Sequence, residues 1–201
     1  MTKRLLLVLG GARSGKTTLA EELATRLGGP VLYVATAEAR DAEMASRIAH
    51  HQSRRPEGWR TLEAPRDVGR ALAAGAAEAN VVLLDCLTLL LSNLMLDLGD
   101  DPDEEAASAR LDSEIDLLLA AYERGRWSLI IVSNEVGWGL VPPYPLGRVY
   151  RDVLGRAHQR LAARADHVYL VIAGIPLDLK KLGGLFDGPG GTLSSSTTHS
   201  C

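Results

Sequence analysis

Five short runs of apolar residues punctuate the chain, at 4–9, 31–35, 81–85, 129–134 and 167–172. Each is apolar along its length rather than at alternate positions, as strands are when both faces of a parallel sheet are covered. Between the runs, apolar residues recur every three or four positions at 16–27, 41–51, 68–79, 87–98, 104–124 and 146–164, and that period predicts helices. Strands alternating with helices predict an α/β fold: an open, mostly parallel sheet with right-handed crossovers and helices on both faces. Residues 99–103 are acidic and carry Pro102, which predicts a surface turn with Asp103 as the N-cap of the next helix. From 183 to 201 the chain is rich in Gly, Ser and Thr, with Phe186 its only aromatic. That composition packs poorly, so a single domain over 1–182 is expected, followed by a disordered tail.

Composition sharpens the picture in a few places. A chain of 201 residues fits one core, and with aromatics at 4% that core must come from Leu, Val, Ile and Ala. A formal net charge of −3 argues against a dedicated nucleic-acid binder. The two cysteines, Cys86 in an apolar run and Cys201 at the last position, make neither a disulfide framework nor a zinc pattern. No stretch reaches the roughly 20 apolar residues of a membrane span, and none resembles a signal peptide. A soluble, cytoplasmic protein is expected.

The chemistry begins at the end of the first strand. Gly10-Gly11-Ala12-Arg13-Ser14-Gly15-Lys16-Thr17 fits the phosphate-loop pattern G-x-x-x-x-G-K-[ST] without a mismatch, between an expected strand and an expected helix. Glycines let the backbone wrap with its N–H groups towards phosphate, and the helix N-terminus adds partial positive charge. Lys16 would reach the β- and γ-phosphates, and the Thr17 hydroxyl would ligate Mg²⁺. Such a loop needs a second acid for the metal at another strand end, and Asp85 closes the third run. It also stands where it would cap the helix from Leu87, and the two roles are compatible. The chain has no Asn-Lys-x-Asp motif, and Asp85-Cys-Leu-Thr is not Asp-x-x-Gly, so a Ras-like switch is not expected.

A second feature is the pair His50-His51 in the helical segment 41–51. As a helix, this segment puts Met44, Ile48 and His51 on an apolar side and Glu43, Arg47 and His50 on a polar one. His50 is therefore the histidine open to chemistry, and Arg54, Arg55 and Arg60 follow it as a cluster suited to phosphate or to plain solvation. Beside a triphosphate, His50 could serve as base or as nucleophile on phosphorus.

Several strings in order resemble one family: residues 10–17, Tyr33-Val-Ala-Thr36, the 41–51 segment, Arg55-Pro56, Trp59-Arg-Thr61, Ser133-Asn-Glu-Val-Gly137, Val141-Pro142 and Ala173-Gly-Ile175. Together they are similar to the bifunctional adenosylcobinamide kinase / adenosylcobinamide-phosphate guanylyltransferase family of cobalamin biosynthesis. The resemblance runs from about residue 4 to residue 180. It implies a P-loop sheet of RecA-like type, a homotrimer, Mg²⁺, and GTP and ATP as substrates. The reactions it implies are phosphorylation of adenosylcobinamide, then transfer of GMP from GTP through a guanylylated histidine to adenosylcobinamide phosphate.

By the same resemblance the guanylylated residue is His50, with Lys16 catalytic beside it. Nucleotide contacts carry over to Gly10, Gly11, Ala12, Arg13, Ser14, Gly15, Lys16 and Thr17, and to Ala35, Thr36 and Ala37. His51, Gln52, Ser53, Arg54, Glu63 and Asp85 complete the implied set, with Thr17 and Asp85 at the metal. Asp85 departs from the family, which often has Glu there. The segment 134–142 follows a strand end, where open α/β sheets bind ligands, and is expected at the mouth of the corrinoid or the nucleotide site. Two other readings of the phosphate loop stay open at this point: a small-molecule kinase using only the γ-phosphate, and a nucleotide-binding module without turnover.

Overall fold

The computed structural model describes residues 2–42, 45–46, 49, 52, 55–99 and 103–183. Among them the five expected strands are present as β1 (Leu5–Gly10), β2 (Val31–Ala35), β4 (Val81–Asp85), β5 (Ser128–Asn134) and β6 (His167–Ile172). Two more join them, β3 (Arg60–Glu63) and β7 (Ile175–Asp178). The sheet runs in the order β3-β2-β4-β5-β1-β6-β7, parallel throughout except that β7 returns antiparallel to β6. This is the open, mostly parallel sheet that the pattern implied. The two additional strands are four-residue edges, largely exposed, so neither carries the continuous apolar run that marks a buried strand.

Successive side chains of each strand point to opposite faces, and this divides the core in two. On one face Leu5, Leu7, Leu32, Val34, Leu84, Leu129 and Ile131 pack against α2 (Val68–Gly75), α3 (Leu87–Asp97), α4 (Glu104–Arg124) and α5 (Pro145–Arg164). On the other, Leu6, Val8, Tyr33, Leu83, Ile130 and Val132 lie under α1 (Lys16–Leu27). Ala20 and Ala24 form the contact of α1, and their small side chains bring that helix close to the sheet. A short α6 (Leu179–Gly183) ends the described chain. Fully burying one Leu contributes about 1.5–3 kcal/mol, so the Leu-rich α3 and its contacts with the sheet are a principal part of the core.

Helix ends follow local chemistry in some places and tertiary partners in others. Asp103 caps α4 as expected, its carboxylate accepting from the Ala106 N–H at 2.7 Å. Asp67 precedes α2 but makes no side-chain cap; instead Glu114 of α4, fully buried, accepts the Val68 N–H at 2.5 Å. The expected extension of α2 to residue 79 is not made, because Gly75 ends the helix and a turn over 76–79 leads into β4. Of the expected helix at 41–51, residues 42, 45, 46 and 49 are helical and exposed, as is residue 52. The residues that would define its two faces (43, 44, 47, 48, 50 and 51) lie outside the described ones, as does the tail from 184 to 201.

The α2–α4 contact is tight at one glycine and open at another. A Cβ at Gly69 would stand 2.4 Å from the Leu117 carbonyl carbon, whereas one at Gly75 would meet only Leu62 Cδ2 at 3.8 Å. Gly69→Ala should therefore lower stability by about 1–3 kcal/mol through overpacking. Gly75→Ala should raise it by about 0.4–1 kcal/mol through the unfolded chain. Urea unfolding of the two variants reads both signs.

Candidate functional site

β1 ends at Gly10, and the chain turns through residues 11–15 into α1. The Ser14 N–H closes the turn on the Gly11 carbonyl at 3.3 Å, with Arg13 at φ 58 and Gly15 at φ 94. Only glycine fits at residue 10, where a Cβ would come within 2.4 Å of Ser14 Oγ and 2.7 Å of the Val171 carbonyl oxygen. Two backbone bonds hold the loop from its sides. The Glu135 N–H donates to the Gly10 carbonyl at 3.0 Å, and the Gly174 N–H donates to the Ser14 carbonyl at 2.9 Å. Gly174 sits with Ala173 in the two-residue β6–β7 turn, both with positive φ, 81° and 50°. The string Ala173-Gly-Ile175, which the sequence offered only as a resemblance, is thus a prop under the phosphate loop.

Beside the loop lies a cleft of about 430 Å³. Ala12, Arg13, Lys16 and Thr17 line it from the loop and α1, Ala35 and Ala37 from the end of β2, and Asp85 from the end of β4. All seven were expected at the nucleotide. Lys16 Nζ lies across the loop, donating to the Gly11 carbonyl at 3.2 Å, and burial lowers its ammonium pKa from the ordinary value. Ser14 Oγ is buried without a hydrogen-bond partner among the described residues.

The acid of the cleft is held by hydroxyls. Asp85 Oδ2 accepts from the Tyr33 phenol at 2.7 Å and from the Thr17 hydroxyl at 3.4 Å. Burial, and then the Asp85 charge, push the Tyr33 phenol well above its ordinary pKa, so it remains a donor. The Arg55 guanidinium stacks on the other side of Tyr33, 3.8 Å from the ring centroid, and donates to Thr61 Oγ1 at 2.8 Å. Arg55 lines the cleft, and its Nε is buried with no hydrogen-bond partner among the described residues. Hard oxygens from Thr17 and Asp85, close together beside a lysine, make a donor set that suits Mg²⁺ rather than a softer metal. Among the described residues no group of three or more His, Cys, Asp and Glu could form an all-protein metal cage.

Other expected contacts fall elsewhere. Thr36 is fully buried, with its hydroxyl donating to the Cys86 carbonyl and accepting the Cys86 N–H at 2.8 and 2.9 Å, so it ties β2 to β4. Glu63 ends the edge strand β3, exposed and paired in register with Ala35, but is not in the cleft wall. Gln52 is exposed and its carbonyl accepts the Arg55 N–H at 3.2 Å. His50, His51, Ser53 and Arg54 lie outside the described residues. The remaining wall comes from Tyr33, Cys86, Thr88, Leu89 and Tyr150, which were not singled out as contacts, and from Arg55 and Asn134, expected as part of the cationic cluster and of the 134–142 segment. A polar Tyr inside the otherwise apolar β2 was the one local signal for Tyr33. Nothing local marks Tyr150, which arrives on α5 more than sixty residues after Asp85.

The segment after β5 leaves from the cleft at Asn134 and is pinned at its root. Ser133 Oγ meets His158 Nε2 at 2.7 Å in the interior, and Glu135 Oε2 stands 3.7 Å from His158 Nδ1. Glu135 also accepts the Gly137 N–H at 2.7 Å. Beyond this root the segment exposes Trp138, Leu140 and Val141.

Residues 6–179 match the family described as cobinamide kinase / cobinamide phosphate guanyltransferase. A relative from Salmonella typhimurium, named bifunctional adenosylcobalamin biosynthesis protein CobU, is 44% identical over 183 residues, covering 88% of this chain and 99% of its own. The CobP protein of the same description from Pseudomonas aeruginosa is 47% identical over 174 residues, covering 87% of this chain and 96% of its own. Among solved structures, the RadB recombinase aligns over 83% of this chain and 73% of its own, with a TM-score of 0.47 and 18% identity.

Two outcomes follow from this geometry. Gly174→Val forces a side chain into a left-handed turn position at a cost of about 1–3 kcal/mol and loosens the bond to Ser14. GTP affinity, read by equilibrium dialysis on protein that is still folded, should fall by roughly fivefold or more, at about 1.4 kcal/mol per tenfold. Burial of His158 lowers its pKa, so the folded protein binds fewer protons there than the unfolded chain. The stability this brings is full above the unfolded value of about 6.5 and is lost as pH falls through the folded value. Urea midpoints between pH 7.5 and 5 should drop less steeply in His158→Gln than in the wild type.

Proposed function

The chain belongs to the cobinamide kinase / cobinamide phosphate guanyltransferase family, and from that membership we propose that the cleft beside residues 10–17 is one nucleotide site serving both of its reactions. The enzyme phosphorylates adenosylcobinamide with ATP or GTP and then transfers GMP from GTP to adenosylcobinamide phosphate, giving adenosylcobinamide-GDP. The observation that carries the assignment of the site is the convergence of Lys16, Thr17 and Asp85 on the cleft at the ends of β1 and β4.

In the first reaction the acceptor hydroxyl oxygen attacks the γ-phosphorus, the bond to the β–γ bridging oxygen breaks, and the nucleoside diphosphate leaves. Lys16 offsets the charge that collects on the leaving phosphates. Thr17 and Asp85 would hold Mg²⁺, which when bound supplies further charge neutralisation on the phosphate oxygens. Tyr33 and Arg55 keep the Asp85 carboxylate in place, Tyr33 by its hydrogen bond and Arg55 by stacking on the Tyr33 ring.

In the second reaction we assign the nucleophile to His50. A neutral imidazole nitrogen attacks the α-phosphorus of GTP, pyrophosphate leaves, and a phosphoramidate to GMP remains. A phosphate oxygen of the acceptor then attacks that phosphorus and the P–N bond breaks. Arg55, which lines the cleft, follows His50 by five residues, at most about 18 Å of extended chain. Its guanidinium carries a positive charge at the cleft wall, which suits a phosphate. The reading carries with it a homotrimer in the cytoplasm. The apolar side chains that β6 and β7 expose, Ile172, Ile175 and Leu177, suit a contact between copies. No helix among the described residues is long and apolar enough to cross a membrane.

GTP labelled at the α-phosphate should leave acid-labile, base-stable label on the wild-type protein. His50→Ala should carry none, while still transferring the γ-phosphate of ATP to adenosylcobinamide. Lys16→Ala should slow both reactions roughly 100-fold or more. A wild-type protein that transfers γ-phosphate but is never labelled would be a plain kinase, and one that binds GTP without either reaction a binding module.

A further inference from the structure

The nucleotide cleft does not end at a polar rim. On the side of α3 and α5 its wall is Thr88, Leu89 and Tyr150. The Tyr150 hydroxyl donates to the Thr88 carbonyl at 2.9 Å, which fixes the ring between the two helices. The same ring also lines two further hollows. One, of about 340 Å³, is bounded by Val136, Pro142, Tyr144, Leu146 and Arg151. The other, of about 300 Å³, is bounded by Ser92, Met95, Leu96, Gly99 and Leu146. Leu146 and Tyr150, one helical turn apart on α5, therefore form a ridge with a hollow on each side and the nucleotide cleft at one end.

Around this ridge the surface is apolar where solvent would favour polar groups. Leu146 is 40% exposed, Leu96 55% and Tyr144 60%, and Val136 and Trp138 extend the same character along the segment after β5. Contiguous exposed apolar surface of this kind marks a binding face. The root of that segment is fixed by the Ser133, His158 and Glu135 contacts, and Arg148 donates to the Pro142 and Pro143 carbonyls at 3.0 Å. The face is therefore built and held before any ligand arrives.

Its occupant follows from the reaction, and so the inference rests on the function proposed above. The acceptor hydroxyl must come within about 3–3.5 Å of the γ-phosphorus, so the body of the acceptor has to rest on surface continuous with the cleft. That body is a broad macrocycle with methyl-bearing faces and an amide-bearing edge, carrying its hydroxyl on a short arm. We propose that the ridge of Leu146 and Tyr150, with the hollows on either side, is the platform for the corrinoid macrocycle, and that the hydroxyl arm enters the cleft past Tyr150. The macrocycle lies on Leu146 and Tyr144, and its edge is received by the two hollows. The nucleotide and the macrocycle then occupy adjoining surfaces, and one acceptor position serves the hydroxyl in the first reaction and the phosphate in the second.

The test uses two positions on the platform that do not line the nucleotide cleft. Leu146→Glu and Tyr144→Ala are compared with the wild type and with Leu146→Met in equilibrium dialysis against adenosylcobinamide, whose colour reports binding directly. In parallel, labelling by α-labelled GTP without corrinoid reads the nucleotide site, and size-exclusion chromatography reads the assembly. Leu146→Glu should bind the corrinoid at least tenfold more weakly and Tyr144→Ala severalfold more weakly, with Leu146→Met close to wild type. Labelling should stay within twofold in all of them and the elution volume should not move. Unchanged corrinoid binding in Leu146→Glu overturns the platform, as does a wild type that binds no corrinoid. Loss of binding only in step with a change in elution volume assigns the face to contact between copies instead. A wild type that binds corrinoid but takes no label from GTP overturns the guanylyl-transfer reading alone.

Discussion

The loop over residues 10–17 is held between two neighbouring backbones, with the Gly10 carbonyl accepting from Glu135 and the Ser14 carbonyl accepting from Gly174. The first bond comes from the chain just after β5; the second needs the loop to pass close to β6 and its turn, where residues 10 and 15 have no room for a Cβ and residue 174 takes a positive φ. The loop is therefore part of the sheet's edge and not a free connection. Its Lys16 and the first turn of α1 inherit a fixed position relative to β4, which is what places a lysine, a threonine hydroxyl and a carboxylate around one cleft.

The carboxylate is the component with most to lose from an imprecise site. An unpaired charge at a half-buried strand end is costly, and Asp85 meets that cost with hydroxyl donors from Tyr33 and Thr17 on one oxygen. Arg55 backs the arrangement without touching Asp85, by stacking on the ring whose hydroxyl does. The Tyr33 and Thr17 hydroxyls reach the Asp85 carboxylate directly.

The two faces of the sheet divide the work. α1 lies close on one face through Ala20 and Ala24 and presents its N-terminus to the cleft. The helices on the other face build the larger core, and where α3 and α5 reach the same end of the sheet they leave Tyr150 in the cleft wall and apolar surface beyond it. A cleft lined by Lys16, Thr17 and Asp85 and an apolar surface thus adjoin at Tyr150.

Local sequence by itself determined the five inner strands, the turn over residues 10–17 into α1 and the Asp103 cap, because each depends on residues adjacent along the chain. Burial on both faces makes an inner strand apolar throughout, and a loop that wraps phosphate needs its glycines at set spacing. The family strings added the two reactions. Tertiary structure alone decided what stands opposite. β3 and β7 are edges whose pairing, not their composition, makes them strands, and α2 is capped by Glu114 from another helix because its own Asp67 does not serve. Thr36, which the resemblance put at the nucleotide, ties two strands together, while Tyr33 and Tyr150 reach the cleft from separate parts of the chain. A parallel sheet brings the C-terminal ends of distant strands to one edge, and which side chains meet there is set by strand order and helix packing, neither of which a local pattern records.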